Sequence, residues 1–270
     1  TVGAAWRHER WSVTARAEWR GGEVTDRKGL TFGAIRQLGE GSVVGSGVSW
    51  THAKAQDGTV SEVTDAALSL AHRPAESPFA ALAKLEYRSD RSVTGTGGNS
   101  DAAGNSALAA SDNATARRLL ASLSTNWSPR GSVNANLVNG TVGKSMVHRM
   151  EVGLFVGGRY SFDRYEDFDL AGFTAVAGLD LGIGIGDRIS VGGTATVRRA
   201  FSEHTTSFAI GPQISLVPTQ DMLLTIGYNV TGFRDRDYSA TRSTGKGLFA
   251  VLRAKFDKDS LGFLGLGTRR

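Results

Sequence analysis

The sequence contains no cysteine, little proline and no long hydrophobic run. The lack of cysteine across 270 residues excludes disulfides, thiolate zinc sites and thiol catalysis. Only 5 prolines accompany the 35 glycines, which is not the composition of a Pro/Gly-rich disordered chain. Hydrophobic residues make up 40% of the chain, but they are dispersed. None of their runs approaches the roughly eighteen apolar residues that a membrane helix requires. The sequence therefore predicts a folded chain without membrane helices.

The chain is basic, with a formal net charge of +5 and a pI of about 9.7. Lysine and arginine are spread through many segments and form no basic helix or stripe, so nucleic acid is not a predicted partner. The mean hydropathy of -0.18 is low enough for a soluble protein. It also fits a membrane β-barrel, in which only every second residue of a strand faces lipid.

Alternation of apolar and polar residues is the dominant pattern of the sequence. In residues 11–20, Trp11, Val13 and Trp19 fall on one face of an extended strand, while Arg16 and Glu18 fall on the other. A helix would scatter both sets around its circumference, whereas a strand separates them. The pattern recurs twelve times, in residues 11–20, 30–34, 44–50, 65–70, 79–88, 118–127, 151–161, 173–184, 189–198, 208–216, 224–231 and 247–256.

These segments predict an all-β fold, a transmembrane antiparallel up-and-down β-barrel of twelve strands. Most segments have the roughly ten residues that a tilted strand needs to cross the hydrocarbon layer. Residues 129–147 are a periplasmic linker or an extra hairpin that would raise the count to fourteen; twelve is preferred. Residues 1–10 form a periplasmic lead-in or an extra strand, residues 11–256 form the barrel, and residues 257–270 form a periplasmic tail.

The connections between these segments also alternate in length. Short turns are expected at 39–42, 74–78, 186–188 and 218–221, and longer links at 21–29, 55–59, 89–115, 163–169, 202–206 and 234–245. Short periplasmic turns opposite longer external loops are typical of outer-membrane barrels. We therefore expect an integral protein of the Gram-negative outer membrane with both barrel ends in the periplasm. Because such a protein is exported, we also expect the sequence to be a mature form or part of a longer chain.

The polar faces of the predicted strands carry full charges. The expected lumen-facing charged residues are Arg16, Glu18, Lys84, Glu86, Arg88, Arg118, Glu151, Arg159, Asp180, Arg198, Arg253 and Lys255. Lysine and arginine predominate, so one interpretation is a water-filled pore that prefers anions. The other is a lumen filled by salt bridges or by a plug. Aromatic residues near the strand ends predict the interfacial girdles of a membrane barrel: Trp11, Trp19, Trp50, Tyr87, Trp127, Phe233 and Phe256.

The last part of the chain suggests a family. Residues 226–238 (IGYNVTGFRDRDY) and 247–257 (GLFAVLRAKFD), with 123–129 (LSTNWSP) and 206–213 (TSFAIGPQ), resemble the C-terminal barrel of very large repeat-containing proteobacterial outer-membrane proteins, which are autotransporter-like or porin-like. The resemblance covers roughly residues 119–257. It implies a barrel that anchors a long N-terminal region, and it implies no catalytic residues.

The closing strand, from Gly247 to Phe256, also resembles the signal read by the outer-membrane assembly machinery, which ends in an aromatic residue. In this chain the residues after Phe256 continue to Arg270, which departs from that pattern.

Candidate chemistry is sparse. Asp163, Glu166, Asp167 and Asp169 lie close enough in sequence to bind a divalent cation, but they lack a defined ligand spacing. Arg234 and Arg236 would suit lipopolysaccharide phosphates, although pairing with the intervening aspartates is the simpler interpretation. The histidines show no metal spacing. We expect no cofactor, no metal and no catalytic residue.

Three functions follow from these observations. The first is a membrane anchor, and in one version a translocator, for a larger envelope or surface protein. The second is a porin-like channel for small solutes with a positively biased lumen. The third, a minor alternative, is an outer-membrane barrel enzyme. Expected partners are outer-membrane lipids, lipopolysaccharide, the assembly machinery and a larger protein region or envelope complex.

Overall fold

The protein is described from a computed structural model that covers residues 1–74, 77–94, 113–129, 150–165, 168–185, 188–219, 222–234 and 244–254. Thirteen β-strands make up most of these ranges. They are β1 (Val2–His8), β2 (Trp11–Arg20), β3 (Thr25–Gly39), β4 (Ser42–Ala55), β5 (Val60–His72), β6 (Phe79–Val93), β7 (Asn113–Trp127), β8 (Met150–Tyr165), β9 (Phe168–Gly184), β10 (Ile189–Ala200), β11 (Thr205–Thr219), β12 (Met222–Asn229) and β13 (Gly247–Ala254). Among the described residues, no helix is long and apolar enough to span a membrane.

Each strand pairs antiparallel with the next, and the sheet follows the chain in order from β1 to β13. This confirms the predicted all-β, up-and-down antiparallel fold. The count is one higher than the preferred twelve because Val2–His8 pairs with β2 over seven residues, from Val2 opposite Ala17 to His8 opposite Trp11. The twelve expected segments correspond to β2–β13. The fourteen-strand alternative depends on residues 129–147, and all of these after residue 129 lie outside the described residues.

The two ends of the sheet are named here by glycines with positive φ in their turns. The Gly41 end holds the β3–β4 turn, where Gly41 has φ of 64°, and the Gly58 end holds the β4–β5 turn, where Gly58 has φ of 85°. The short turns expected in the periplasm all fall at the Gly41 end. The start of β2 and the end of β13 also lie there, while β1 carries the first residues of the chain to the Gly58 end.

Several strands run past the segments that alternation identified, so the connections are shorter than expected. The expected link at 163–169 is mostly strand, because β8 continues to Tyr165 and β9 begins at Phe168. The rings of these two residues stack with centroids 5.4 Å apart. Next to them, the Arg164 guanidinium makes a bidentate pair with Asp169. The ladder therefore extends beyond the segments that alternation identified, and the alternation of short and long connections predicted from the sequence is wrong.

The strand register divides the side chains between two faces. The most buried residues of β8–β12 share one face, and Phe155 on β8 packs there against Val176 on β9 and the partly buried Leu120 on β7. A cavity of about 460 Å³ on this face is lined by residues of all eight strands from β6 to β13. The sheet therefore curves toward this side, which we call the concave face. The opposite side is the convex face.

Candidate functional site

The convex face is apolar over its central rows. Adjacent strands place Phe32, Val48 and Tyr87 in one such row, which continues through Leu119 and Tyr160. Their side chains are exposed or partly exposed; Tyr160, for example, is 46% exposed. A broad apolar surface of this kind marks a membrane or protein interface in a folded protein.

All five tryptophans of the chain lie on this convex face, as the register shows: Trp6, Trp11, Trp19, Trp50 and Trp127. On β2, Trp11 stands at the Gly41 end and Trp19 at the Gly58 end. Eight residues separate them, a rise of about 26 Å along an extended strand. At the usual tilt of about 40° this length covers about 20 Å along the membrane normal, most of the apolar band of about 25 Å between the aromatic girdles of an outer-membrane barrel.

Cations accompany both of these tryptophans. The Arg36 guanidinium lies 5.0 Å from the Trp11 ring centroid, and the Lys28 ammonium lies 5.3 Å from that of Trp19. The Trp50 indole N–H donates a 2.7 Å hydrogen bond to Glu62. Amphipathic aromatic rings with polar partners at each end of an apolar band are typical of the membrane–water interface.

The other residues of the expected girdle are distributed less regularly. Trp127 lies on the convex face at the Gly41 end, opposite Phe79. Tyr87 is also convex but falls in a central row, while Phe233 lies in the β12–β13 connection. Phe256 lies outside the described residues, so its expected role in assembly stays a prediction.

The register places the expected lumen-facing charges on the concave face. This holds for ten of the twelve: Arg16, Glu18, Lys84, Glu86, Arg88, Arg118, Glu151, Arg159, Asp180 and Arg198. The Arg253 side chain and Lys255 lie outside the described part of the chain. The register also places on this face six charged residues that are absent from the expected set: Arg7, Arg20, Arg27, Asp65, Asp90 and Asp163. Asp90 continues the alternation of Glu86 and Arg88.

Several of these concave charges pair with each other. Lys84 and Glu86 are 2.6 Å apart, and Arg88 is 2.8 Å from Asp90 and 3.8 Å from Asp65. The Asn126 amide donates to the carboxylate of Glu151. The ionic side chains of these salt bridges are about one-third to one-half exposed, so their attraction is screened by water and contributes little stability.

The charge of the concave face is unevenly distributed. Counted by register over the described side chains, its strands carry nine Lys or Arg and seven Asp or Glu residues, an excess of two positive charges. Among the described side chains from β9 onward, only Asp180 and Arg198 belong to this set. A second cavity of about 580 Å³ lies within the charged part and is lined by Asp65, Glu86, Arg88 and Arg118 among others.

Small and hydroxyl side chains replace charges on the later strands. Thr174, Ser190, Thr196 and Ser215 are all buried on the concave face, and the Ser215 hydroxyl lies 2.8 Å from that of Thr225. Glycines allow close approach between these strands. A Cβ at Gly211 would collide with the Tyr228 carbonyl group. Close packing in this region therefore depends on residues without bulk.

The candidate chemical groups form no recognisable centre. Among the described residues, no group of three or more His, Asp or Glu side chains could hold a metal ion. The expected acidic cluster is divided: Asp163 and Asp169 lie in strands, Asp169 is paired with Arg164, and residues 166–167 lie outside the described residues. Arg234 ends a described range, while Asp235 and Arg236 lie outside it.

In the β4–β5 turn at the Gly58 end, the carboxyl group of Asp57 has a clearly shifted pKa. The backbone N–H of Thr59 donates a 2.8 Å hydrogen bond to Asp57. This bond, followed by a bond from the Thr59 hydroxyl, lowers the pKa of the Asp57 carboxyl below its usual value. The ionised side chain thereby stabilises a tight turn, as aspartate commonly does two residues before a donor.

Comparisons with known proteins show the fold. No protein-family model matches the chain, and no curated protein sequence does so. Among solved structures, the siderophore receptor PirA from Pseudomonas aeruginosa has a TM-score of 0.60 at 8% identity, over 87% of this chain and 39% of the receptor. The alcaligin outer-membrane receptor FauA from Bordetella pertussis has a TM-score of 0.55 at 13% identity, over 92% of this chain and 44% of the receptor.

The chain thus spans about two-fifths of the length of these receptors. At such low identity the likeness shows the fold alone. That fold is the antiparallel β-barrel of Gram-negative outer-membrane proteins. The comparisons therefore support an outer-membrane barrel, but they do not show the more specific resemblance to the barrels of large repeat-containing proteins.

Proposed function

We propose that the protein is integral to the Gram-negative outer membrane, with its convex face in lipid and its concave face toward a polar lumen. The position of all five tryptophans on the convex face carries this proposal. In a water-soluble β-protein the same rings would be expected to pack into the interior. The Gly41 end, with the short turns, is then periplasmic, and the Gly58 end is external.

Quenching of tryptophan fluorescence tests the membrane location. The protein is reconstituted in vesicles whose acyl chains carry bromine, and its emission is compared with that in unbrominated vesicles and in aqueous iodide. We expect strong quenching by brominated lipid and weak quenching by iodide. The reverse pattern would contradict the proposal, because the tryptophans would then face water.

Within the membrane, we propose that the barrel serves mainly as an anchor for a larger envelope or surface protein or assembly. The pairing of the concave charges supports this role. Lys84 with Glu86, and Arg88 with Asp65 and Asp90, neutralise one another where a selective pore would present a ring of one sign. We expect no stable conductance in planar bilayers, and discrete, reproducible channels would contradict the anchor role.

A second candidate is passage or binding of an anionic solute. The excess of positive charge and the cavity beside Arg88 and Arg118 favour it, and the two receptors above are named for siderophores. If conductance is observed, Arg118→Gln should reduce the preference for anions over cations. The control is Arg36→Gln, which removes an equal charge from the convex face and should leave ion selectivity unchanged.

We also propose that the outer-membrane assembly machinery binds the protein during insertion. The strand that begins at Gly247 forms the last described edge of the sheet, and recognition by the assembly machinery would act there. No catalytic step is assigned to any residue.

A further inference from the structure

Three arginines meet on the convex face near the Gly58 end. Arg91 on β6 and Arg164 on β8 both lie opposite Thr115 of β7 in the strand register. Arg117 lies on β7, one row nearer the apolar band. Adjacent strands are about 4.8 Å apart, so the three long side chains can converge on one ligand. They line a cavity of about 700 Å³ whose other walls include Thr64, Ser89 and Asn113. We call Arg91, Arg117 and Arg164 the arginine patch.

The patch has more positive charge than its neighbours neutralise. Asp169 pairs with Arg164 at 2.8 Å and 3.1 Å, and Glu62 accepts the hydrogen bond from Trp50. Within the described ranges, neither Arg91 nor Arg117 has a hydrogen-bond or ion-pair partner. Both are exposed. Two guanidinium groups are therefore available to an external anion.

The position of the patch indicates the kind of anion. One row toward the membrane centre from Arg117, the convex face carries Tyr87, Leu119 and Tyr160. The Arg164 guanidinium lies 5.5 Å from the Phe162 ring, as expected where apolar and polar regions meet. The patch thus stands at the edge of the apolar band, at the depth of lipid headgroups. Arginine forks bind phosphate oxygens in a bidentate manner.

We propose that the arginine patch binds the phosphate groups of lipopolysaccharide, with Arg91 and Arg117 as the main ligands and Arg164 as a third, shared with Asp169. This inference rests on the proposed function, in which the Gly58 end is external. Lipopolysaccharide is the occupant because it forms the outer leaflet and presents its phosphate groups at that depth. The convex face thereby fixes one lipid molecule across β6, β7 and β8.

Lipid retention tests the site. The full chain and the double variant Arg91→Gln/Arg117→Gln are purified in mild detergent from outer membranes, and bound lipopolysaccharide per protein is measured by native mass spectrometry. We expect at least about a tenfold loss in the double variant, since basic residues at a membrane surface each contribute on the order of 1 kcal/mol of attraction to anionic lipid. Arg36→Gln, at the other end of the convex face, should retain wild-type binding.

Reconstitution distinguishes the source of the phosphate. Detergent-purified protein is offered lipopolysaccharide, dephosphorylated lipopolysaccharide, phosphatidylglycerol and inorganic phosphate. Preference for intact lipopolysaccharide supports the proposal. Equal binding of phosphatidylglycerol, binding of inorganic phosphate alone, or equal retention by the double variant would overturn it. Brominated-lipid quenching of the same samples reports membrane insertion separately, so failure of the patch is distinguishable from failure of the proposed location.

Discussion

The concave face differs sharply between its first seven strands and the strands from β8 to β12. No described residue of β1–β7 is buried, whereas β8–β12 supply nearly all the buried positions of the described chain. The early strands present charged pairs such as Lys84 with Glu86. The later strands present glycine, serine and threonine, with Phe155 and Val176 in contact.

This difference shows that the same strand pattern supports two kinds of stabilisation. In β1–β7 the side chains of the concave face remain hydrated, so the backbone ladder and the apolar convex face must carry the stability. In β8–β12 the strands approach closely enough for side chains to exclude water, and packing adds to the ladder. Substitutions on the concave face should therefore have large effects in the later strands and small effects in the earlier ones.

The largest effect is expected for Phe155→Ala on β8. Phe155 is 7% exposed and contacts Val176, so its removal leaves a cavity and should lower the free energy of unfolding by about 3 kcal/mol. Urea unfolding of the vesicle-inserted protein, followed by tryptophan fluorescence, measures this loss.

Leu82→Ala on β6 is the matched control for that substitution. Leu82 lies in the same row of the concave face as Phe155, with Ser124 between them, but it is 49% exposed. Its loss should cost about 1 kcal/mol or less, since much of its surface already contacts water. If Leu82→Ala were as destabilising as Phe155→Ala, the proposed difference between the two regions would be wrong.

A smaller but distinct effect is expected for Gly211→Ala on β11. The added methyl group would meet the Tyr228 carbonyl group, a backbone atom that cannot rotate away. Such overpacking should destabilise the protein by about 1–3 kcal/mol. In Gly47→Ala on β4 the new Cβ would lie 3.8 Å from the Phe32 carbonyl oxygen, an ordinary contact. Equal unfolding midpoints for these two variants would show that the later strands are not more tightly packed.

The sequence predicted the strands and their faces better than the packing within one face. Alternation identified β2–β13 because lipid-facing residues must be apolar at every second position, as in Trp11 to Trp19 on β2. It left β1 open as a lead-in or an extra strand, because Gly3, Ala4 and Ala5 give little contrast between faces. It also ended β8 too early, because the convex residue Arg164 lies beyond the apolar rows and is charged, which breaks the alternation.

The contact between Phe155 and Val176, by contrast, could not be predicted from either residue. Both stand on a face that the sequence marks as polar, next to glycines such as Gly153 and Gly178. Their burial depends on how the sheet curves across several strands, which is a property of the whole ladder. For the same reason the charged residues could be assigned to one face, but their partners could not be named.

A still smaller effect is expected for the charged pair of β6. Lys84→Gln, Glu86→Gln and the double variant form a mutant cycle whose coupling energy should be below about 1 kcal/mol, since both side chains are more than one-third exposed. Chemical unfolding at low and high salt measures the coupling. A value above about 2 kcal/mol, insensitive to salt, would indicate that the early strands enclose a dry interior and resemble β8–β12.

The smallest effect is expected at the β4–β5 turn, which supports the early strands locally. Hydrogen bonds from Thr59 lower the pKa of the exposed Asp57 carboxyl, so the folded state favours the ionised form. The stability that this group adds is present above its unfolded pKa and is lost as the pH falls through the lower, folded value. Asp57→Asn should therefore lower the stability slightly near pH 7 and leave it almost unchanged near pH 3, which flattens the acid side of the stability profile. Unfolding midpoints measured from pH 7 down to pH 3 in both proteins test this, with Glu23→Gln in the β2–β3 connection as an exposed control. An identical acid profile for the wild type and Asp57→Asn would show that the turn does not contribute, and that the early strands depend on the ladder and the convex face alone.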